Sequence, residues 1–439
     1  MTTTDVRPDR TIRRSAATRR KTVVLLVAVI VGAMAPTGAD AETIKQREFR
    51  PISPRIMGQG GSHVAIARGY ESLFTNPAGI AWTETPELTI PSLTFWAHSR
   101  PDLLLPTIGA FGADETLDDQ DGDPVLDTLK EQFTTNGFGL GMSLGIGYVG
   151  HRIGLGLNIA ADSYLYGETF PLGLEGEIQQ QMTFTVGYGH PFEIGPVSLA
   201  VGGALRPTLR IVSLVDSDTA ADLIAQFFDV DVDENGTNGD NGDEPDLFDS
   251  ITALNGWGVG FDAGLLAQYQ SFTFGVQARN LFNTRMEYSR NDLGEIMGAL
   301  GSGGLPSRPT DSDDPAFVAE KYELPVEYSF GVAWHPDLGD TAAIFDPRVH
   351  VQVTDPFKLT DQDRDRARSF WTRLHLGTEM TFLNFFDWRL GLNQGYFTTG
   401  FGVDLAFFNI NFALYSQEFG RYPGDQQVGG AALEFAFRF

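Results

Sequence analysis

The sequence predicts an all-β fold: a transmembrane antiparallel β-barrel of about fourteen strands with an N-terminal hatch in its lumen. Three observations predict it. Apolar residues alternate with glycine or polar residues over many runs of about ten residues, the period of a strand whose faces meet different surroundings. Beyond the N-terminal leader, no stretch approaches the roughly 20 apolar residues of a spanning helix. The chain has no cysteine, so an exported polypeptide of 439 residues is held by hydrogen bonds and packing alone, which a closed ladder without edges does well.

Residues 1–41 read as a signal peptide. Arg13, Arg14, Arg19, Arg20 and Lys21 form a basic start, "TVVLLVAVIVGAM" an apolar run and "TGADA" a small-residue site, with cleavage expected after Ala41. The paired arginines raise the twin-arginine route, but no Phe-Leu-Lys-like context follows them, so the general route is expected. The formal charge is -26; loss of seven basic and three acidic leader residues leaves 24 basic against 54 acidic, a charge of -30. Nucleic-acid binding needs a basic footprint, so no nucleic-acid partner is expected.

Residues 42–86 do not alternate. They contain "SPRIMGQGGSHVAIARGYESLFTNPAGIAW", rich in glycine, with Gly58, Gly60 and Gly61 early and Asn76, Pro77, Ala78 and Gly79 late. Proline and glycine there specify a tight turn and disfavour a strand. A compact, mixed segment ahead of a wide polar barrel is a candidate plug.

Residues 87–439 supply the strands. In "FGLGMSLGIGYVGHRIGLGLNIAADSYLYG", Leu140, Met142, Leu144, Ile146 and Tyr148 alternate with Gly139, Gly141, Ser143, Gly145 and Gly147. After a turn near Gly150, Ile153, Leu155, Leu157 and Ile159 alternate with Arg152, Gly154, Gly156 and Asn158, making a hairpin with one apolar and one glycine-rich face. Similar runs recur near 183–202, 257–277, 373–392 and 401–414, with less regular ones near 87–100, 324–335 and 346–354. The polar faces assign Gly145, Gly154, Arg373, His375, Glu379, Asp387, Arg389, Asp404, Glu434 and Arg438 to the lumen. Glycine inside a strand marks close approach of another backbone, so the hatch is expected to pack on the wall of Gly139, Gly141, Gly145, Gly147, Gly154 and Gly156. Tyr164, Tyr166, Tyr269, Tyr322, Tyr328, Trp371, Tyr396 and Tyr415 sit near strand ends, as interfacial girdles do.

The chain ends "AALEFAFRF", where Leu433, Phe435, Phe437 and Phe439 alternate with Glu434, Ala436 and Arg438. Lipid covers such a face without help, and the last strand is expected to close the barrel against the first. A terminal Phe also resembles the C-terminal signal read by bacterial outer-membrane assembly machinery, an expected partner alongside outer-membrane lipid.

Long acidic loops are expected at 112–131, 214–253, 282–320 and 355–368. "DVDENGTNGDNGDE" begins like a calcium loop, with Asp231, Asp233, Asn235 and Gly236, but Gly242 stands where a bidentate Glu is needed. Asp119, Asp121, Asp123 and Asp127 form a second acidic turn. Solvated loops are the expectation, with Ca2+ held loosely at most and no cofactor. "ADLIAQFFDV" reads as a short amphipathic helix presenting Leu223, Ile224, Phe227 and Phe228. "GMSLG" at 141–145 matches a nucleophile elbow but falls in mid-strand, not at a strand–turn–helix corner, and the seven histidines show no ligand spacing. No enzyme is expected.

The stretch from Ser53 to Trp82, with "MGQGG", "VAIA" and "NPAGIA", resembles the N-terminal hatch of the FadL-like outer-membrane proteins, nearest the PorV and UPF0164-type branch. "LGLNQGYFTTGFGVDLAFFNINFALYSQEFG" resembles that branch's last hairpins. Together the matches span about a sixth of the chain. The resemblance implies a fourteen-stranded barrel in the outer membrane of a Gram-negative-type bacterium, occluded by a hatch in which Asn76, Pro77 and Ala78 carry the family motif. It also implies passive uptake of a hydrophobic small molecule of fatty-acid or hydrocarbon type, or, from the PorV-type branch, a plugged scaffold for exported proteins. A general hydrophilic porin fits less well, because the hatch blocks ions.

Overall fold

The computed structural model describes residues 44–45, 49–99, 130–134, 137–169, 173–215, 252–294, 296, 298, 321–358, 370–418, 424 and 427–439. The expected signal peptide, most of each acidic loop, both calcium-like turns and the 221–230 helix lie outside them.

Strong period-2 alternation becomes strand throughout. In chain order the wall strands are β1 (Glu87–Ser99), β2 (Phe138–Gly150), β3 (Ile153–Gly167), β4 (Leu174–Ile194), β5 (Val197–Val215) and β6 (Thr252–Tyr269). β7 runs in two segments, Phe272–Arg279 and Thr284–Asp292, and so does β8, Lys321–Leu324 and Glu327–Trp334. Then follow β9 (Phe345–Thr354), β10 (Leu374–Phe382), β11 (Phe386–Asn393), β12 (Tyr396–Leu405), β13 (Phe408–Glu418) and β14 (Gln427–Arg438). Every neighbour is antiparallel, and β14 pairs with β1 through Leu433 opposite Phe95, closing a ring of fourteen. Leu88 and Phe439 exchange both backbone hydrogen bonds at 2.9 Å. A short strand, Ile44–Lys45, lies parallel to the Lys321–Leu324 segment.

Turn chemistry sets which end is which. Two-residue turns such as His151–Arg152 and Ala406–Phe407 join strands at one end; the connections through 100–137, 216–251 and 293–320 leave from the other. We call these the turn end and the loop end. Outward residues of the middle wall form an exposed apolar belt: Met142 is 46 % exposed, Ile159 44 %, Phe184 45 %, Phe261 48 % and Phe401 41 %. In water such a continuous surface would drive association; in a bilayer it is the expected lipid face.

Strand lengths are uneven. β4 has 21 residues and β5 has 19, whereas β11 has eight, and about ten suffice to cross a bilayer. On the tall side the outer face near the loop end is not left to lipid. Phe138, Leu165, Leu174, Ile178, Ile211, Val215 and Ala253 are covered there by Phe133, Leu293 and Ile296 from the flanking connections.

Three expectations are corrected. The loop expected at 282–320 begins later, because Thr284–Asp292 resumes β7 after a break at 280–283 where Asn280, Phe282 and Asn283 are left-handed. Likewise the loop expected at 214–253 starts and ends inside β5 and β6. Not all the end-of-strand aromatics form girdles: Tyr166, Tyr269 and Trp371 are exposed, but Tyr415 is 3 % exposed and packs with Phe49, Met57 and Trp96. Alternation explains it, since Tyr415 shares the face of Asn411 and Ala413 and so points inward. Tyr328 is covered instead by Phe357, edge to face at 6.1 Å.

Candidate functional site

The hatch fills the lumen, and the interface between hatch and wall is the site. Its elements are short because the sequence interrupts them. Ser53 caps helix α1 (Pro54–Gly58), its hydroxyl accepting from the Ile56 amide, with Pro54 in the first turn. Gly60 and Gly61 end it with left-handed φ of 75° and 77°. Two 3-10 turns follow, Gly69–Leu73 and Pro77–Trp82, the second capped by the Asn76 side chain.

One part of the interface is the hatch packed against wall glycines. A Cβ at Gly145 would collide with the Tyr70 hydroxyl, and one at Gly147 would stand 2.8 Å from the Tyr70 ring. At Gly154 it would strike Leu73 and at Gly156 come within 3.1 Å of Phe74. The same obstruction recurs around the ring: Gly202 faces Pro77, Gly264 faces Asn76, Gly275 faces the Val64 carbonyl, Gly391 faces Gly60 and Gly400 faces Gly58. The expected glycine wall is therefore wider than one hairpin. It also excludes two of its expected members: Gly141 makes room for Trp96, and Gly139 is crowded by the backbone of Ser163.

Hydrogen bonds fix the hatch's backbone to the wall. Asn76 donates from Nδ2 to the Val64 carbonyl at 2.9 Å and to those of Leu265 and Val276 at 3.3 and 3.4 Å, while its Oδ1 accepts from the Ala78 amide at 3.1 Å. One fully buried side chain thus joins two hatch segments to β6 and β7. Gln352 Oε1 accepts from the amides of His63 and Val64 at 2.9 and 3.0 Å. Thr398 bridges Gly58 and Gly60. His375 Nδ1 meets two acceptors, the Gly60 carbonyl at 3.1 Å and Asn393 Oδ1 at 2.9 Å, so that nitrogen carries the proton. Gln277 and Arg279 hold the carbonyls of Thr75 and Phe74 at 2.9 and 2.8 Å. Gly79 packs on Ala67 and Ser72 inside the hatch.

The remaining contact is ionic and lies toward the turn end. Arg55 on α1 grips Glu379 on β10 with Nε and Nη2, each at 3.2 Å, and reaches Glu71 at 3.3 Å with Nη1. Behind it, Arg389 is 2 % exposed and donates to Glu379 at 2.7 Å, Asp387 at 2.5 Å and Asn411 at 2.7 Å. Asn411 passes the chain to Glu434, which also accepts from Ser92 and Arg438. Asp404 is exposed and takes a hydrogen bond from Asn409. Arg373 sits apart at the loop end of β10, donating to the Asp355 carbonyl at 2.9 Å. A cavity of about 250 Å3 opens here, walled by Arg55, Arg348, Glu379, Asp387, Arg389 and Arg438 among others.

The hatch's own titratable groups feel this setting. Glu379 and then Glu71 hold the Arg55 guanidinium well above its ordinary value. Burial pushes the Glu71 carboxyl up, against the pull of Arg55. Burial drives His63 down to about 4, only partly offset by the Gly61 carbonyl.

Alternation in the sequence assigned Glu379, Asp387, Arg389, Glu434 and Arg438 to one polar lining, and they meet in one network. It did not point to Arg55, Glu71, Gln352, Asn411 or Thr398. A lone Arg at the start of a Pro-capped turn was the only available sign of the first, and the glycines at 264, 275, 331, 377, 391 and 400 were the sign of the wider collar.

Fold and site define a closed transmembrane-type β-barrel stoppered by its own N-terminal segment. No family model and no curated protein matches the sequence. Among solved structures, the chain is similar to the Ralstonia pickettii toluene transporter TbuX (TM-score 0.45, 13 % identity, covering 88 % of this chain and 97 % of that one). It is also similar to the Pseudomonas putida toluene transporter TodX (TM-score 0.43, 11 %, 91 % and 99 %) and to a Pseudomonas aeruginosa FadL homologue (TM-score 0.38, 12 %, 91 % and 98 %).

Proposed function

We propose that the protein is an outer-membrane channel for passive uptake of a hydrophobic small molecule, with the hatch as its movable closure and the turn end facing the periplasm. The observation that carries this reading is how residues 49–82 are seated: they lie against wall glycines around most of the ring and are tied to the wall by side-chain hydrogen bonds and ion pairs that water can replace. A plug joined in that way shifts as a unit without unfolding the wall. Short turns on the periplasmic side and long connections outside are the usual arrangement in such barrels. The resemblance of Ser53–Trp82 to the FadL-like hatch supports the same assignment, and that family's substrates set the ligand class. The described cavity is charged and does not suit a hydrophobic ligand.

A second reading, a binding scaffold for exported proteins, is favoured by the completeness of the seal: the hatch contacts glycines on strands around most of the ring. Mass spectrometry after purification in mild detergent separates the two. A co-purified acyl chain or hydrocarbon supports uptake, and vesicles carrying the protein then take up that compound faster than empty ones. A co-purified protein with no uptake overturns the channel in favour of the scaffold.

A further inference from the structure

The turn end of β2–β4 carries, on its outer face, a cluster that the hatch does not touch. The turn His151–Arg152 joins β2 to β3, both residues left-handed at φ 54° and 71°. Register places Tyr148, Ile153, Tyr188, His190 and Phe192 on the outward face beside it. Tyr148 Oη and His151 Nδ1 are hydrogen-bonded at 2.9 Å. Arg152 Nη1 approaches His190 Nδ1 at 3.4 Å, and the Tyr188 hydroxyl lies 3.2 Å from the same nitrogen. A guanidinium only donates, so Nδ1 accepts and the imidazole proton sits on Nε2. Nε2–H and the spare guanidinium N–H groups are then free to donate outward.

Two further facts give this cluster a partner. Among the described residues, neither Arg152, His151 nor His190 is ion-paired with a carboxylate, in a chain whose formal charge is -26. Immediately beside it the apolar belt begins, with Ile146 40 %, Ile153 46 %, Leu155 42 % and Val186 38 % exposed. Cationic and N–H donors at the border of a hydrocarbon-facing surface fit an anionic headgroup whose chains lie along that surface. A free anion would use the donors but leave the belt uncovered.

We propose that Arg152 and His190, flanked by Tyr188, His151 and Tyr148, hold the phosphate of an anionic phospholipid in the leaflet at the turn end. The inference rests on the membrane-spanning reading of the barrel. The test reconstitutes the full chain in phosphatidylcholine vesicles containing a minor fraction of phosphatidylglycerol, extracts it gently and counts bound lipids by native mass spectrometry. The wild type should retain phosphatidylglycerol preferentially. The Arg152→Gln/His190→Gln variant should lose that preference by about fivefold or more, the loss expected for one or two charge-assisted hydrogen bonds. Arg285→Gln, whose side chain is 81 % exposed near the opposite end, should not change it. Heat-modifiable mobility on gels confirms that each variant is folded. Equal retention by wild type and double variant overturns the proposal, and so does displacement of the lipid by inorganic phosphate alone, which would assign the donors to a free anion. If the wild type fails to associate with vesicles of any composition, it is the membrane reading that falls.

Discussion

Arg55 and Glu379, separated by 324 residues in sequence, form a two-pronged ion pair across the boundary between hatch and wall. Glu379 is 3 % exposed and the Arg55 side chain 23 %, so the pair is largely withdrawn from water but still reached from the cavity below. Removing Arg55 leaves Glu379 with Arg389 and takes a partner from the buried Glu71.

Arg55→Ala should therefore weaken hatch docking by about 2–3 kcal/mol, somewhat below the loss typical of a fully buried pair, because the cavity readmits water to Glu379. The readouts are protection of residues 49–82 from protease and single-channel conductance. In Arg55→Ala/Glu379→Gln the two losses should be less than additive, because the contact between the pair is removed only once. A double-mutant cycle with no coupling energy would show that the pair does not hold the hatch.

Gly145→Leu and Gly154→Leu should each displace the hatch, because the new side chain must occupy space already held by Tyr70 or by Leu73 and Ile80. Overpacking of this kind costs about 1–3 kcal/mol. Gly203→Ala is the control: its Cβ would meet nothing closer than 3.7 Å. Unchanged conductance together with unchanged protease protection in both leucine variants would contradict the packing described.

Asn76→Asp should be worse than Asn76→Ala. Alanine loses the cap and the three carbonyl contacts, at about 1–3 kcal/mol. Aspartate keeps an acceptor for the Ala78 amide but turns an anionic oxygen toward the carbonyls of Val64, Leu265 and Val276. Hydrogen exchange of the hatch amides reports the order of the two variants, and the reverse order would refute the assigned role of Nδ2.

Acidification should loosen the hatch through His63. Its value is 6.5 when free and about 4 when docked, so the docked form binds fewer protons. Its share of docking stability is complete above pH 6.5 and is lost as the pH falls toward 4, up to roughly 3 kcal/mol at full protonation. Glu71 works in the opposite sense: burial raises its carboxyl, so its protonation on acidification favours docking. His63→Gln should accordingly reduce acid loosening of the hatch, measured as protease sensitivity between pH 7 and 4.

Much of this architecture was legible because a strand's period is two. Parity alone told that Glu379, Asp387, Arg389 and Glu434 share the inner surface, and it also implied that Tyr415 points inward, against the girdle reading. What parity cannot supply is height. Whether Glu379 meets Arg55, or Gly400 meets Gly58, depends on shear around a closed ring, and each pairing links segments more than 300 residues apart. The loop boundaries were misread for a related reason. Arg285 and Glu287 are outward and charged on the upper segment of β7, so that stretch lacks the apolar alternation by which the other strands were recognised. Gln352 and Thr398, single polar side chains in ordinary strands, gave no local sign that they would anchor a distant backbone.

The disparity between β4, with 21 residues, and β11, with eight, makes the vessel's brim lopsided. Among the described residues the tight turn at Gln394–Gly395 lies low on that brim, and part of the extra length of the opposite strands stands above it. A molecule arriving sideways along the apolar belt meets a low sill of ladder there and a higher one opposite, so the described wall has a compass direction even though the hoop of hydrogen bonds beneath is continuous.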